Sequence, residues 1–256
     1  MQVDWHRGES RQMRNVTAGF FSFTEITDPS EHRSYNEWHQ LDHLPEQYQL
    51  DGVVLGERWV ASPKCRAQRL ATSDLLEPTD YVTLYLMEEP LETTLSEFHA
   101  LGRRLRDDGR YHRHRRSLLS GPFEVSARSR SLGVELTSEL IPFRPNKGVY
   151  VTVEATPPTS VGERGSLLDK AGLLAVPGVV GIWSFDAVAE YSRWWNPGPR
   201  TITVCYLDRD VDETSSQIAR KLSAVVASEG TTIEFAGPFE AITPWRWDWF
   251  DSRERR

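Results

Sequence analysis

The sequence predicts an α+β protein built from two tandem ferredoxin-like units, each ordered strand-helix-strand-strand-helix-strand (βαββαβ). A repeated tetrapeptide, a set of segment matches with steadily shrinking separation, and helical stripes alternating with period-two strands lead to that reading. GPFE stands at 121–124 and again at 237–240. "GFFSFTEI" from Gly19 matches "GVYVTVEA" from Gly148, with Phe20 over Tyr150. "GVVLGERW" from Gly52 matches "GVVGIWSF" from Gly178, and "VTLYL" from Val82 matches "ITVCY" from Ile202. The separation falls from 130 residues through 126 and 120 to 116 at GPFE, as expected if connections in the second copy are shorter. The units are placed at 16–125 and 148–243, with a flexible tail over 1–15, a linker over 126–147 and a Trp-rich arm over 244–256.

Each element has a local reason. "DPSEHRSYNEWHQLDH" opens on a capping pattern, with Asp28 as N-cap, Pro29 at the first helical position and Glu31 three residues past the cap. Pro45 disfavours helical geometry at Leu44, so this helix is expected to end near His43. Leu91, Leu95, Phe98, Leu101 and Leu105 form the stripe of a second, amphipathic helix, and Ile218, Leu222, Val225 and Val226 form its counterpart. In the strands, Val82, Leu84 and Leu86 share one face and Tyr81, Thr83, Tyr85 and Met87 the other. The first strand alternates Phe21 and Phe23 against Phe20, Ser22 and Thr24. The purely apolar face suits packing under helices, and two mixed faces meeting would enclose a lumen with polar handles, the composition of a small-molecule pocket.

Bulk properties exclude several classes. With 39% hydrophobic and 26% charged residues the chain of 256 residues can bury a core. A formal charge of −7 argues against a dedicated nucleic-acid binder. No apolar run approaches the ~18 residues of a membrane helix, and the first 15 residues carry no apolar signal region. Two cysteines are too few for a disulfide framework, so a cytoplasmic protein without membrane partners is expected.

"YNEWHQLDHLPEQYQLDGVVLGERW" resembles the helix-to-strand signature of dimeric α/β-barrel proteins, in particular the EthD-like branch. Trp38, His43, Leu44, Pro45, Gly52, Val53, Arg58 and Trp59 sit on that pattern, which covers the first unit to about residue 125. The second unit lacks His-Leu-Pro and carries Asp169 at the place of His43, as a scaffold half without the site would. The resemblance implies two ferredoxin-like units joining their sheets into a barrel, within one chain or between chains. Relatives of this kind include isomerases, cyclases, cofactor-free monooxygenases and haem enzymes, so the fold does not choose the function.

The candidate catalytic residue is His43, expected at a helix C-terminus where the dipole favours the protonated ring. Trp38, His39, Arg58, Trp59, Tyr81 and Tyr85 are the candidate substrate-binding residues. His39 and His43, four apart on one helical face, also have the spacing of a metal-binding pair, but no Glu lies between them, and no metal ligand set is assigned. Haem, held through a histidine facing the lumen, is a further alternative, with His99, His112 and His114 the candidates beyond the first helix. Seven arginines between Arg103 and Arg116 read as the exposed end of the second helix. Trp245, Trp247 and Trp249, spaced by two, would share one side of an extended arm that seals the barrel, covers a ligand or meets a second copy. The expectation is a metal-independent enzyme without cofactor, acting on a small hydrophobic or aromatic carbonyl compound by His43-mediated proton transfer, in isomerase, cyclase, dehydratase or lyase fashion. The alternatives are a non-catalytic small-ligand-binding or stress-type barrel protein and a haem-dependent or cofactor-free oxidative enzyme.

Overall fold

The computed structural model describes residues 15–155, 172–188, 190, 194–195, 197–229 and 232–250. The strands are β1 (Val16–Ile26), β2 (Val53–Val60), β3 (Ala71–Thr72), β4 (Tyr81–Glu88), β5 (Arg115–Arg130), β6 (Gly148–Ala155), β7 (Val179–Ala187), β8 (Arg200–Leu207) and β9 (Ile233–Ala241). Their order is β2-β4-β1-β5-β7-β8-β6-β9, and β9 returns to β2 through Trp59↔Ala241 and Val60↔Glu240. Eight antiparallel strands thereby close into a barrel, with the short β3 attached to β9. Residues 126–130, read from the sequence as linker, belong to β5, whose far end pairs with β7 and joins the two halves.

The halves repeat one another in register. Phe20 faces Tyr85 and Pro122, while Tyr150 faces Cys205 and Pro238. Both GPFE stretches therefore occupy the same place in equivalent strands. Gly52 and Gly178 begin β2 and β7 against a threonine of a helix. A Cβ on Gly52 would lie 1.9 Å from Thr94 Oγ1 and one on Gly178 2.8 Å from Thr214 Oγ1, so both sites need the missing side chain.

Two helical stretches line the site, the first and the one at Leu91–Asp107. The first begins with a 3₁₀ turn, Pro29–Glu31, capped by Asp28, whose carboxylate accepts the Ser30 N–H at 3.0 Å. It continues as α1 (His32–Trp38), a π turn (His39–His43) and α2 (Leu44–Gln47). The expected stop at His43 is corrected: the chain stays helical through Pro45. The wider π turn bonds the Leu44 N–H to the His39 carbonyl five residues back, which relaxes the crowding a proline ring causes in a regular α-helix. After the short α3 (Pro63–Ala67), α4 (Leu91–Asp107) buries Leu91, Thr94, Leu95, Leu101 and Leu105, in line with its stripe. The last, α5 (Val211–Glu229), packs Ile218 and Leu222 onto Tyr150, Ile182 and Cys205 of the second half.

The two sheet faces are used the opposite way from the sequence expectation. Phe21, Phe23, Val82, Leu84 and Leu86 do not lie under helices; they join Val151, Val153, Ile202, Val204 and Phe235 in one core cluster. Phe23 reaches Phe235 at 6.2 Å and Trp59 reaches Tyr206 at 6.3 Å, across strands that are not sheet neighbours. The apolar faces thus fill the barrel. An eight-strand barrel is only wide enough for its own side chains, so its interior takes the purely apolar set. The mixed faces with Tyr81, Tyr85, Phe20 and Thr83 turn outward, beneath α1, α2 and α4. The anticipated polar lumen is replaced by a packed core.

Residues 242–250 run through turns rather than as an extended arm. Trp245 is 72% exposed, Trp247 is buried with its indole N–H donated to Gln40, and Phe250 stacks on His32 at 3.8 Å between ring centres. The Trp245 and Trp247 rings lie 5.7 Å apart, tilted by 37°. No helix among the described residues is long and apolar enough to cross a membrane.

Candidate active site

Turning the mixed face outward creates a cavity of about 330 Å³ between the first half's strands and its helices. Its floor is Phe20, Ser22 and Thr24 of β1, Thr83 and Tyr85 of β4, and Ser117 and Ser120 of β5. One wall carries Tyr35, His39, His43 and Gln47 from the interrupted helix. The opposite wall is the face of α4 bearing Phe98, His99, Gly102, Arg103 and Arg106, with Trp194 and Trp195 beside it. Tyr111 and Arg115 complete the rim.

The π turn sets the two imidazoles. His39 and His43 are both buried, with ring centres 5.0 Å apart and planes at 73°. His43 stacks on Trp38 at 4.6 Å, and the Trp38 indole N–H donates to the Arg110 carbonyl at 2.7 Å, which fixes the stack. Burial, reinforced by Arg115, Arg58 and Arg110, pushes the His43 ring down to about 3. Burial also holds His39 well below the usual histidine range, with Arg58 and His43 adding to it. Both rings are therefore neutral near pH 7. His39 Nε2 lies 3.4 Å from the Tyr85 hydroxyl, and burial keeps that phenol protonated, far above its ordinary value. The Nδ1 atoms of His39 and His43 are buried without a hydrogen-bond partner among the described residues.

The rim is cationic. Tyr111 lies between Arg106 and Arg115, whose guanidinium carbons are 5.2 and 5.1 Å from its ring centre. Arg115 also donates to Ser22 Oγ at 3.2 Å. The described residues lining the cavity include Arg103, Arg106 and Arg115 and no carboxylate. A cavity of this kind takes a ligand with a flat apolar body and an anionic edge.

Of the sequence-selected residues, His39, His43 and Tyr85 line the cavity and Trp38 backs His43. Tyr81 lies outside the lining, bonded to His32 Nδ1 and Asn36 Nδ2 at 2.9 Å each. Arg58 is buried behind that pair, donating to Asn36 Oδ1 at 3.1 Å with its guanidinium over Tyr35 and Tyr81. Trp59 points into the barrel and donates to Asn146 Oδ1 at 3.0 Å, because β2 alternates there and Gly56, Arg58 and Val60 face the helices. It is removed from the site. Asp169 lies outside the described residues. His99, named above as a haem candidate, lines the cavity, and the missed residues are its neighbours on the α4 face and the rim: Gly102, Arg103 and Arg106 fall at i+3, i+4 and i+7 from His99, a helical stripe that runs into an arginine-rich segment.

No protein-family description matches the sequence, and no curated protein matches it. Solved structures share the fold. Chlorite dismutase from Candidatus Nitrospira defluvii superposes with a TM-score of 0.51 at 11% identity, covering 93% of this chain and 94% of that one. A candidate monooxygenase from Lactobacillus acidophilus gives 0.49 at 7% identity, over 88% and 93% of the two chains. A haem-binding protein from Thermus thermophilus gives 0.46 at 13% identity, over 89% and 92%. At 11% identity the chlorite dismutase match shows the fold alone, a closed antiparallel barrel.

The expected metal-independent lyase or isomerase driven by His43 is corrected. The matched chlorite dismutase carries an oxidative name, and that likeness is one of fold. The physical reason lies in the helix: His43 sits inside a continuing helix rather than at its C-terminus, so no dipole supports its proton. A ring held near 3 is too weak a base, and too seldom protonated at neutral pH, to serve as the acid/base of that scheme.

Proposed function

We propose that this protein is a haem-dependent oxidative enzyme whose cofactor occupies the cavity between the first half's sheet and its helices. The observation that carries the reading is the donor set: neutral, buried imidazoles with uncommitted ring nitrogens beside aromatic walls and an arginine rim without carboxylates. Iron takes the neutral form of histidine, so burial that depresses the ring's proton affinity also readies it as a ligand.

His43 would hold the iron, since His39 is already engaged by Tyr85. Phe20, Phe98 and Trp195, with ring centres 4.7 to 6.3 Å apart, would cover the porphyrin faces and exclude water. Arg103, Arg106 and Arg115 would hold the propionates by charge-assisted bonds. Haem, when bound, supplies the one-electron and peroxide chemistry that the side chains lack. The neutral Tyr85 hydroxyl, 3.4 Å from His39 Nε2, would orient that ring. An aromatic co-substrate is the partner that suits the remaining Tyr111 and Trp194 surfaces. The spacing of Trp38, His43 and Pro45 supports an EthD-like ancestry, and the shared strand order of the two halves supports a pair of ferredoxin-like units.

The test is peroxide-dependent oxidation of a phenolic dye by the haem-loaded chain. His43→Ala should lower turnover by ~100-fold or more at equal haem occupancy, beyond the 10- to 100-fold typical of losing an outer partner. Unchanged turnover in that variant removes His43 from the role.

A further inference from the structure

Outside the cavity, the sequence stretch "RYHRHRR" finds a use that its charged composition concealed. The loop after β1 and the loop before β5 meet because their strands pair to the end, Ile26 with Arg115. The His114 carbonyl accepts the Thr27 N–H at 2.9 Å and the Thr27 hydroxyl at 3.2 Å, which fixes one loop against the other. Asp28 and Glu31, three apart on the 3₁₀ turn, then face His114. One potential ligand atom from each of the three residues lies within 4.8 Å of the others. His112 adds a second imidazole, its Nε2 3.8 Å from Glu31 Oε2 and 3.2 Å from Ser34 Oγ.

We propose that Asp28, Glu31 and His114 form a binding site for a divalent transition metal of the zinc type, with the His112 ring beside Glu31. Two carboxylate oxygens and an imidazole nitrogen suit a borderline cation at about 2.0–2.2 Å from each ligand, and imidazole disfavours calcium and magnesium. The ligands come from residues 28–31 and 114, so the metal would clamp the start of the first helical stretch to the segment entering β5. That stretch carries His39 and His43 and that segment carries Tyr111 and Arg115, so the clamp would stiffen two walls of the cavity. The Ser30 hydroxyl and N–H hold the Asp28 carboxyl below the usual range, which keeps it ionised for a cation.

The experiment is a calorimetric titration of the full chain with zinc, after dialysis against a chelator and without haem. The wild type should show one saturable site. Asp28→Asn and His114→Ala should each weaken it by ~100-fold or more, beyond the 10- to 100-fold typical of losing an outer partner. A His39→Ala/His43→Ala double variant should bind zinc as the wild type does. Thermal unfolding provides the second reading: zinc should raise Tm of the wild type and of the cavity variant but not of Asp28→Asn or His114→Ala, each compared with its own metal-free form. No saturable binding in the wild type overturns the proposal. So does undiminished binding in Asp28→Asn and His114→Ala, or loss of binding confined to the cavity variant.

Discussion

Lowering the pH should unfold this protein through the same burial that readies His43 for iron. The perturbation is a step from pH 7 to pH 5, applied to the wild type and to His43→Gln. In the unfolded chain the ring titrates near 6.5, whereas in the fold it is held at about 3. The unfolded state therefore takes up the proton first. Stability is fully present above 6.5 and is lost as pH falls toward 3. At pH 5 the unfolded ring is almost wholly protonated and the folded ring is not, which costs about 2 kcal/mol relative to pH 7. His43→Gln removes that titration while keeping a side chain of similar length. Comparing each protein with itself at the two pH values cancels the packing change. Urea denaturation should show the wild type losing about 2 kcal/mol more than the variant over this step. His39, shifted in the same direction, adds a loss common to both proteins. An equal loss in the two proteins would mean that His43 titrates as a solvated ring, and the site's electrostatics would have to be redrawn.

The barrel interior makes two further predictions. Phe21→Ala, which removes a ring lying 5.0 Å from Phe185 and 5.5 Å from Phe123, should cost about 3–5 kcal/mol in denaturant unfolding, and less than ~1 kcal/mol would contradict a packed lumen. Glu57 accepts a 2.8 Å bond from Asn146, but its other oxygen is buried without a partner, and burial raises the carboxyl to about 8. Its charged form is thus disfavoured in the fold, so its contribution is present below 4.5 and is lost as pH rises toward 8. Glu57→Gln should be more stable than the wild type at pH 8.5 and lose the advantage near pH 4; equal stability at both pH values would place Glu57 in water.

The sequence carried the strands and their register, and hid which way they face. Alternation in "YVTLYLM" separates Val82, Leu84 and Leu86 from Tyr81, Thr83 and Tyr85, but nothing local says which set a closed barrel will swallow. Closure is a property of eight strands together, so the inversion could not be read from one of them. The shrinking separations were legible because backbone pairing preserves them, and Phe20–Pro122 and Tyr150–Pro238 are the outcome. At Pro45 a local rule gave way to a π turn, and with it went the helix end that had made His43 look protonated. Arg103 and Arg106 were masked by their company, since a run of arginines reads as surface until α4 is set against β1. Asp28 and His114 were out of reach for a different reason, being distant in sequence and joined only by the pairing of β1 with β5.

Haem binding tests the central claim most directly. Haemin titrated into the purified full chain should give a Soret band that saturates at one equivalent. His43→Ala should shift and weaken that band, and Arg103→Ala/Arg106→Ala should weaken binding without changing its position. A spectrum indistinguishable from free haemin, or an identical saturating band in His43→Ala, would contradict a haem site built on His43.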